Sequence, residues 1–135
     1  MEIEGRPIGL QIWDTAGSEK FFSIGASFYK GSDCCVIVYD VTNPDSLQHA
    51  TKWYQEFLKN CSLADTNSFP VALVGNKIDL KESRKTNPSD ALEWCQAHDN
   101  APHFETSAKE GTQVREAFRT VGILAMGHKS QSLYD

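Results

Sequence analysis

Two stretches of this chain, Asp33-Cys-Cys-Val-Ile-Val-Tyr-Asp40 and Pro70-Val-Ala-Leu-Val-Gly75, are apolar at successive positions with no polar alternation. A strand with one wet face alternates, whereas a strand covered on both faces reads as a continuous apolar run. The segment between them has the marks of a helix. Asn43 suits an N-cap, Pro44 suits the first turn, and Leu47, Thr51, Tyr54 and Phe57-Leu58 recur at helical spacing. Asn87-Pro88 repeats the capping device ahead of Leu92, Cys95 and His98. Phe104 falls in a short strand leading to Ser107, and Val114, Phe118, Val121 and Leu124-Ala125 predict a last amphipathic helix. Upstream, Ile8-Gly-Leu-Gln-Ile-Trp13 alternates apolar and polar residues and predicts a strand ending at Asp14. Strands alternating with helices imply parallel pairing in an open α/β sheet, whose ligands sit at the carboxyl ends of the strands.

At 135 residues the chain has the size of one domain and is long enough to bury a core. A formal net charge of −5 argues against a nucleic-acid-binding protein, since phosphate backbones need clustered Lys and Arg. No apolar run is long enough to span a bilayer, and no basic-then-apolar signal opens the chain. Cys34 and Cys35 adjoin inside an apolar run, while Cys61 and Cys95 fall on predicted helices. That pattern predicts reduced, buried thiols in a cytosolic protein, not a disulfide framework or a metal site.

Three short strings lie just after predicted strands, at the rim where ligands bind: Asp14-Thr15-Ala16-Gly17, Asn76-Lys77-Ile78-Asp79 and Ser107-Ala108-Lys109. The bland alternative is a set of turn residues with no shared site, and the common strand-end placement weighs against it. The Asp79 carboxylate can accept two parallel hydrogen bonds from the ring N–H and exocyclic amine of guanine. Adenine lacks that donor pair, so a site of this type can discriminate by roughly four orders of magnitude. Asn76 can bridge loops and touch the base edge. Lys77 can lay its aliphatic stem over the ring while its ammonium stays wet. The Ala108 N–H can donate to the guanine carbonyl oxygen, and Lys109 can pack on the opposite face. Asp14 could hold Mg²⁺ through water. Gly17, lacking a side chain, could bring its N–H close to a terminal phosphate. A strand-end acid followed by a Gly turn is the plain alternative for that pair. The chain contains no Gly-x-x-x-x-Gly-Lys-Ser/Thr loop, and no Gly is followed directly by Lys.

Trp13-Asp-Thr-Ala-Gly-Ser-Glu-Lys-Phe21 and Phe28-Tyr-Lys-Gly31 resemble the Rab family of small GTPases. Phe28 through Thr42, Trp94-Cys95 and Phe104-Glu-Thr-Ser-Ala-Lys109 are similar to its late-endosomal branch, and the resemblance covers nearly the whole chain. It implies a Ras-like, doubly wound α/β sheet and a guanine-nucleotide switch on late endosomal or lysosomal membranes. GTP or GDP with Mg²⁺ would be the ligands, and effectors and regulators the protein partners. The implied nucleotide contacts are Asp14, Gly17, Asn76, Lys77, Asp79, Ser107, Ala108 and Lys109.

Several departures shape the expectations. Met1-Glu-Ile-Glu-Gly-Arg-Pro7 reads as a strand end and a hairpin turn, so the family's first strand, phosphate loop and most of its second strand are expected to be missing. A partial domain over 1–128 with a polar tail over 129–135 follows. Leu10–Ile12 and Cys35–Val38 are then each expected to lack one hydrogen-bonding neighbour, which invites instability or oligomers. Nucleotide affinity should be micromolar or worse. Ser18 stands where the family places the Gln that orients water, so hydrolysis is expected to be deficient and no residue is assigned a catalytic role. Gln131-Ser-Leu-Tyr-Asp135 has no cysteine to carry a prenyl anchor, which predicts a cytoplasmic chain without stable membrane attachment. Two other readings stand beside the GTPase one. The first is a nucleotide-independent interaction module using Trp13, Phe21, Phe28 and Tyr29 on the segment Ser18 to Gly31. The second is an inert fragment cleared by proteolysis.

Overall fold

The computed structural model describes residues 1–12, 32–59 and 69–134, with side chains through Lys129. It opens on an antiparallel hairpin of β1 (Glu2–Ile3) and β2 (Arg6–Pro7), with Ile3 opposite Arg6. The connecting residues Glu4 and Gly5 both have positive φ, 52° and 77°. A two-residue turn needs that conformation to match the twist of its strands, and Gly adopts it without a Cβ clash.

The main sheet has three parallel strands in the order β3 (Cys35–Asp40), β4 (Val71–Asn76), β5 (His103–Glu105). Between them run α1 (Pro44–Lys59), a short 3₁₀ turn at Lys81–Ser83 and α2 (Pro88–Ala97), and α3 (Val114–Tyr134) follows β5. Both predicted caps form. Asn43 Oδ1 accepts the Asp45 N–H at 3.0 Å, and Asn87 Oδ1 accepts the Ser89 N–H at 3.0 Å. Each satisfies one of the orphan donors that every helix start exposes. The α/β architecture expected from the alternating pattern is present. α3 runs on through 129–134, the segment set apart above as a polar tail.

One core joins the sheet to α1 and α2. Ile37, Tyr39, Val41, Leu73 and Val71 pack with Ala50, Tyr54 and Phe57 of α1 and Ala91, Trp94 and Cys95 of α2. Polar atoms inside it are paired: the Tyr54 hydroxyl donates to the Phe69 carbonyl at 3.1 Å, and Trp94 Nε1–H to Thr51 Oγ1 at 3.0 Å. The opposite layer is thinner. The β1–β2 hairpin seats on α3, where Ile3 is fully buried beside Gly122. A Cβ at Gly122 would lie 2.5 Å from Ile3 Cδ1, so only glycine permits that approach.

Three expectations need correction. β4 is buried on both faces, as its apolar run implies, but β3 alternates, with Val38 61% exposed. The helices cover one face of β3, whereas α3 covers the other sheet face chiefly over β4. β3 is therefore an edge strand within the described residues, with β4 on one side only. Residues 8–12 of the expected Ile8–Trp13 strand form no strand, and Ile12 is largely exposed, because among the described residues no strand lies alongside to pair with them. Leu92 faces outward, and the buried stripe of α2 is Ala91, Trp94 and Cys95, with His98 stacked on Trp94. Spacing of three and four from residue 91 selects that face, and position 92 lies off it.

Among the described residues Cys34, Cys35 and Cys95 are free thiols, with Cys35 and Cys95 buried and Cys34 partly so. Burial pushes the Cys34 thiol up to about 12, so it is protonated and unreactive near neutrality. Cys61 lies outside the described residues. Among the described residues no helix is long and apolar enough to cross a membrane.

Candidate functional site

Strand register brings two of the three strings together. Asp40 pairs with Asn76 at the ends of β3 and β4, and Gly75 pairs with Glu105 at the end of β5. The chain therefore leaves β4 at Lys77 and β5 at Thr106 side by side on the carboxyl rim. Thr106 N–H donates to the Gly75 carbonyl at 2.7 Å, and Ile78 N–H to the Thr106 carbonyl at 3.1 Å. These bonds extend the ladder past the strands and clamp the two loops.

Asn76 is the bridge between the loops. Its Oδ1 accepts the Ala108 N–H at 2.9 Å and the Thr106 hydroxyl at 3.2 Å. Its Nδ2 hydrogens have no partner among the described residues. Ser107 is fully buried and works in both directions: its hydroxyl donates to Asp79 Oδ1 at 2.9 Å and accepts the Glu110 N–H at 3.0 Å. Asp79 is thus fixed through one oxygen, and its second oxygen has no partner among the described residues. The fixed carboxylate presents acceptor lone pairs suited to a ring N–H and an exocyclic amine, while the Asn76 NH₂ is a donor suited to an acceptor atom elsewhere on the base.

The Ala108 N–H, expected to reach the guanine carbonyl oxygen, is engaged by Asn76. A bound base would share that donor, or take the Lys109 N–H one residue on, which has no partner among the described residues. Lys77 and Lys109 are both exposed at the flanks of this edge. Lys77 adopts φ +73°, the left-handed region that side chains with a Cβ rarely occupy. Its Nζ lies 2.8 Å from Asp40 Oδ2, and that bond raises the Lys77 pKa. Burial works against the Asp40 charge, yet hydrogen bonds from Lys77 and Thr42 prevail and hold its carboxyl below the usual range.

Behind the loops, the Tyr39 hydroxyl sits 2.8 Å from His103 Nε2, with Arg84 paired to Glu105 alongside. Burial raises the Tyr39 pKa and lowers that of His103, so the phenol stays protonated and donates to a neutral imidazole. Gly75 lies under the Tyr39 ring, where a Cβ would meet Tyr39 Cζ and Oη at 2.5 Å. This layer fixes the height of the β4 end, and with it Asn76.

Asn76, Lys77, Asp79, Ser107, Ala108 and Lys109 are therefore assembled at one rim. Asp14, Gly17, Trp13, Phe21, Phe28 and Tyr29 lie outside the described residues. Reading the sequence missed Asp40, Thr42 and Thr106 as parts of the loop clamp. Asp40 carried a signal as the acid closing an apolar run, but its partner is 37 positions away and only strand pairing reveals it. The residues present fit a guanine base: a carboxylate oxygen and a carboxamide NH₂, both unpartnered among the described residues, lie at one rim with two exposed lysines in the same loops. No cluster of three or more metal-ligating side chains occurs among the described residues.

A sequence model described as the Ras family matches residues 1–125. The chain is 47% identical over 125 residues to the Ypt/Rab-type GTPase ypt7 of Schizosaccharomyces pombe, covering 92% of this chain and 61% of that protein. It is 48% identical over 123 residues to Ras-related protein Rab7 of Pisum sativum, covering 90% of this chain and 60% of that protein. With Ras-related protein Rab7 of Drosophila melanogaster it shares 46% over 124 residues, covering 92% and 59% respectively. The chain thus spans less than two thirds of the length of the curated relatives it matches.

Proposed function

The chain belongs to the Ras family, and from that premise we propose that it is a Rab-type guanine-nucleotide protein of the late-endosomal trafficking kind. The observation that carries this reading is the braced edge at the sheet rim. Asp79 is held by Ser107 at 2.9 Å with its second oxygen unpartnered among the described residues, and Asn76 is held by Ala108 and Thr106. In this reading Asp79 selects guanine, Asn76 ties the loops and touches the base, and Lys77 and Lys109 cover its faces. The base edge makes selectivity for guanine over adenine strong. Asp14 would hold Mg²⁺ through water and Gly17 would approach the terminal phosphate. GTP or GDP supplies the charge that these two groups would sense. Ser18 in place of a water-orienting Gln makes hydrolysis slow. Late endosomal or lysosomal membranes, and effectors and regulators of the Rab type, are the proposed setting and partners.

Calorimetric titration of the chain with GDP and with ADP tests the reading. GDP should bind and ADP should not within the accessible range. Asp79→Asn keeps an oxygen for Ser107 but loses the second acceptor, so the preference should collapse. Equal binding of both nucleotides by the unaltered chain would refute the proposal.

A further inference from the structure

Lys77 occupies the left-handed region at φ +73° in the middle of the base loop, a conformation costing roughly 1–2 kcal/mol for a side chain with a Cβ. The Lys77 carbonyl accepts the Leu80 N–H at 3.0 Å within the loop, and its side chain is held by Asp40, at the end of the neighbouring strand. Asp40 is itself immobilised from three directions. Its Oδ1 accepts both the Thr42 N–H, at 2.8 Å, and the Thr42 hydroxyl, at 2.6 Å. Its backbone N–H donates to Ser46 Oγ at 2.9 Å, in the first turn of α1. The remaining oxygen, Oδ2, points the grip at Lys77 Nζ, 2.8 Å away.

We propose that Asp40 is a positioning residue for nucleotide recognition, anchoring the Lys77 stem as a preformed wall of the base site. The inference rests on the reading of Asn76 to Asp79 as a guanine site and names a residue outside the strings that define it. A free lysine has many rotamers, and laying it on a ring would cost much of that freedom at the moment of binding. With its ammonium tied to a braced carboxylate, the stem is ordered before the base arrives. Asp40 is tied through its backbone to Ser46 in the first turn of α1, so a shift of that helix end would be felt at the base loop.

Side-chain nitrogen NMR of the chain without nucleotide gives the direct readout. The Lys77 ammonium should be distinguishable at neutral pH from the solvent-exchanging lysines, and the distinction should vanish in Asp40→Asn. An ammonium exchanging like the other lysines in the unaltered chain would overturn the proposal. GDP titrations then form a double-mutant cycle of Asp40→Asn, Lys77→Met and the pair. Asp40→Asn should weaken GDP binding about two- to fivefold, the range for a partly exposed ion pair. In the Lys77→Met background it should change nothing, because the group it positions is gone. An equal loss in both backgrounds would refute positioning. Should Asp40→Asn fail to fold, Thr42→Val loosens the same carboxylate and should weaken GDP in the same direction, and no change would again refute it. If the unaltered chain does not prefer GDP over ADP, the base-site reading fails as well. If it does and Asp79→Asn abolishes the preference, a null result at Asp40 sinks only the positioning role.

Discussion

Gly75→Ala is the sharpest structural test, because the space for one methyl group is measured. A Cβ at Gly75 would lie 2.5 Å from Tyr39 Cζ and Oη and 3.0 Å from Cε2, well inside contact distance. Tyr39 cannot swing away cheaply. It is 2% exposed, and its hydroxyl is hydrogen-bonded to His103 at 2.8 Å. Overpacking a filled core costs about 1–3 kcal/mol. Breaking the Tyr39–His103 bond adds about 0.5–1.5 kcal/mol. Against this, replacing Gly restricts the unfolded chain and returns about 0.4–1 kcal/mol. The net is a destabilisation between about 0.5 and 4 kcal/mol, with a central value of about 2 kcal/mol, large against a typical domain stability of about 5–15 kcal/mol. In urea, with a slope of about 1.5–2 kcal/mol per molar, the unfolding midpoint should fall by about 1–2 M without a change in slope. Tyr39→Leu in the same chain removes the ring, so the double variant should recover part of the loss. Because Gly75 precedes Asn76 and its carbonyl accepts the Thr106 N–H, Gly75→Ala should also weaken GDP binding. A midpoint within about 0.3 M of the unaltered chain would refute the packing argument.

Ser107→Ala removes the donor to Asp79 and the acceptor for Glu110 N–H in one step. It should cost about 1–2 kcal/mol in urea unfolding and reduce the preference for GDP over ADP, and retention of both would contradict the bracing role. Burial lowers the His103 pKa below its ordinary value of about 6.5, so the unfolded chain binds the proton more readily. The stability it contributes is fully present above that value and is lost as pH falls from about 6.5 through the folded pKa. Urea midpoints of the unaltered chain should therefore drop more steeply between pH 7.5 and 5.5 than those of His103→Gln. Parallel profiles would show that His103 is not the titrating group.

Periodicity and capping residues determined the elements. The apolar run at 70–75, the Asn-Pro caps at 43–44 and 87–88, and the helical spacing along 44–59 and 114–125 each encode a local geometry that neighbouring residues alone can satisfy. That Asn76, Asp79 and Ser107 lie together at the carboxyl rim was legible for a similar reason, since each follows an expected strand of a parallel sheet. Exposure was not legible. An apolar run looks the same whether one or two layers cover it, so β3 was expected to be covered on both faces, but Val38 is exposed where no layer of the described residues reaches it. The alternation at 8–12 encodes a willingness to pair, while a strand also needs a neighbour, and none lies there among the described residues. Only the tertiary structure decided who holds whom. Asp40 and Lys77 meet because β3 and β4 end in register, and the Ala108 N–H turns to Asn76 because β5 delivers it there. Such contacts span tens of residues and depend on strand order, which no local pattern records.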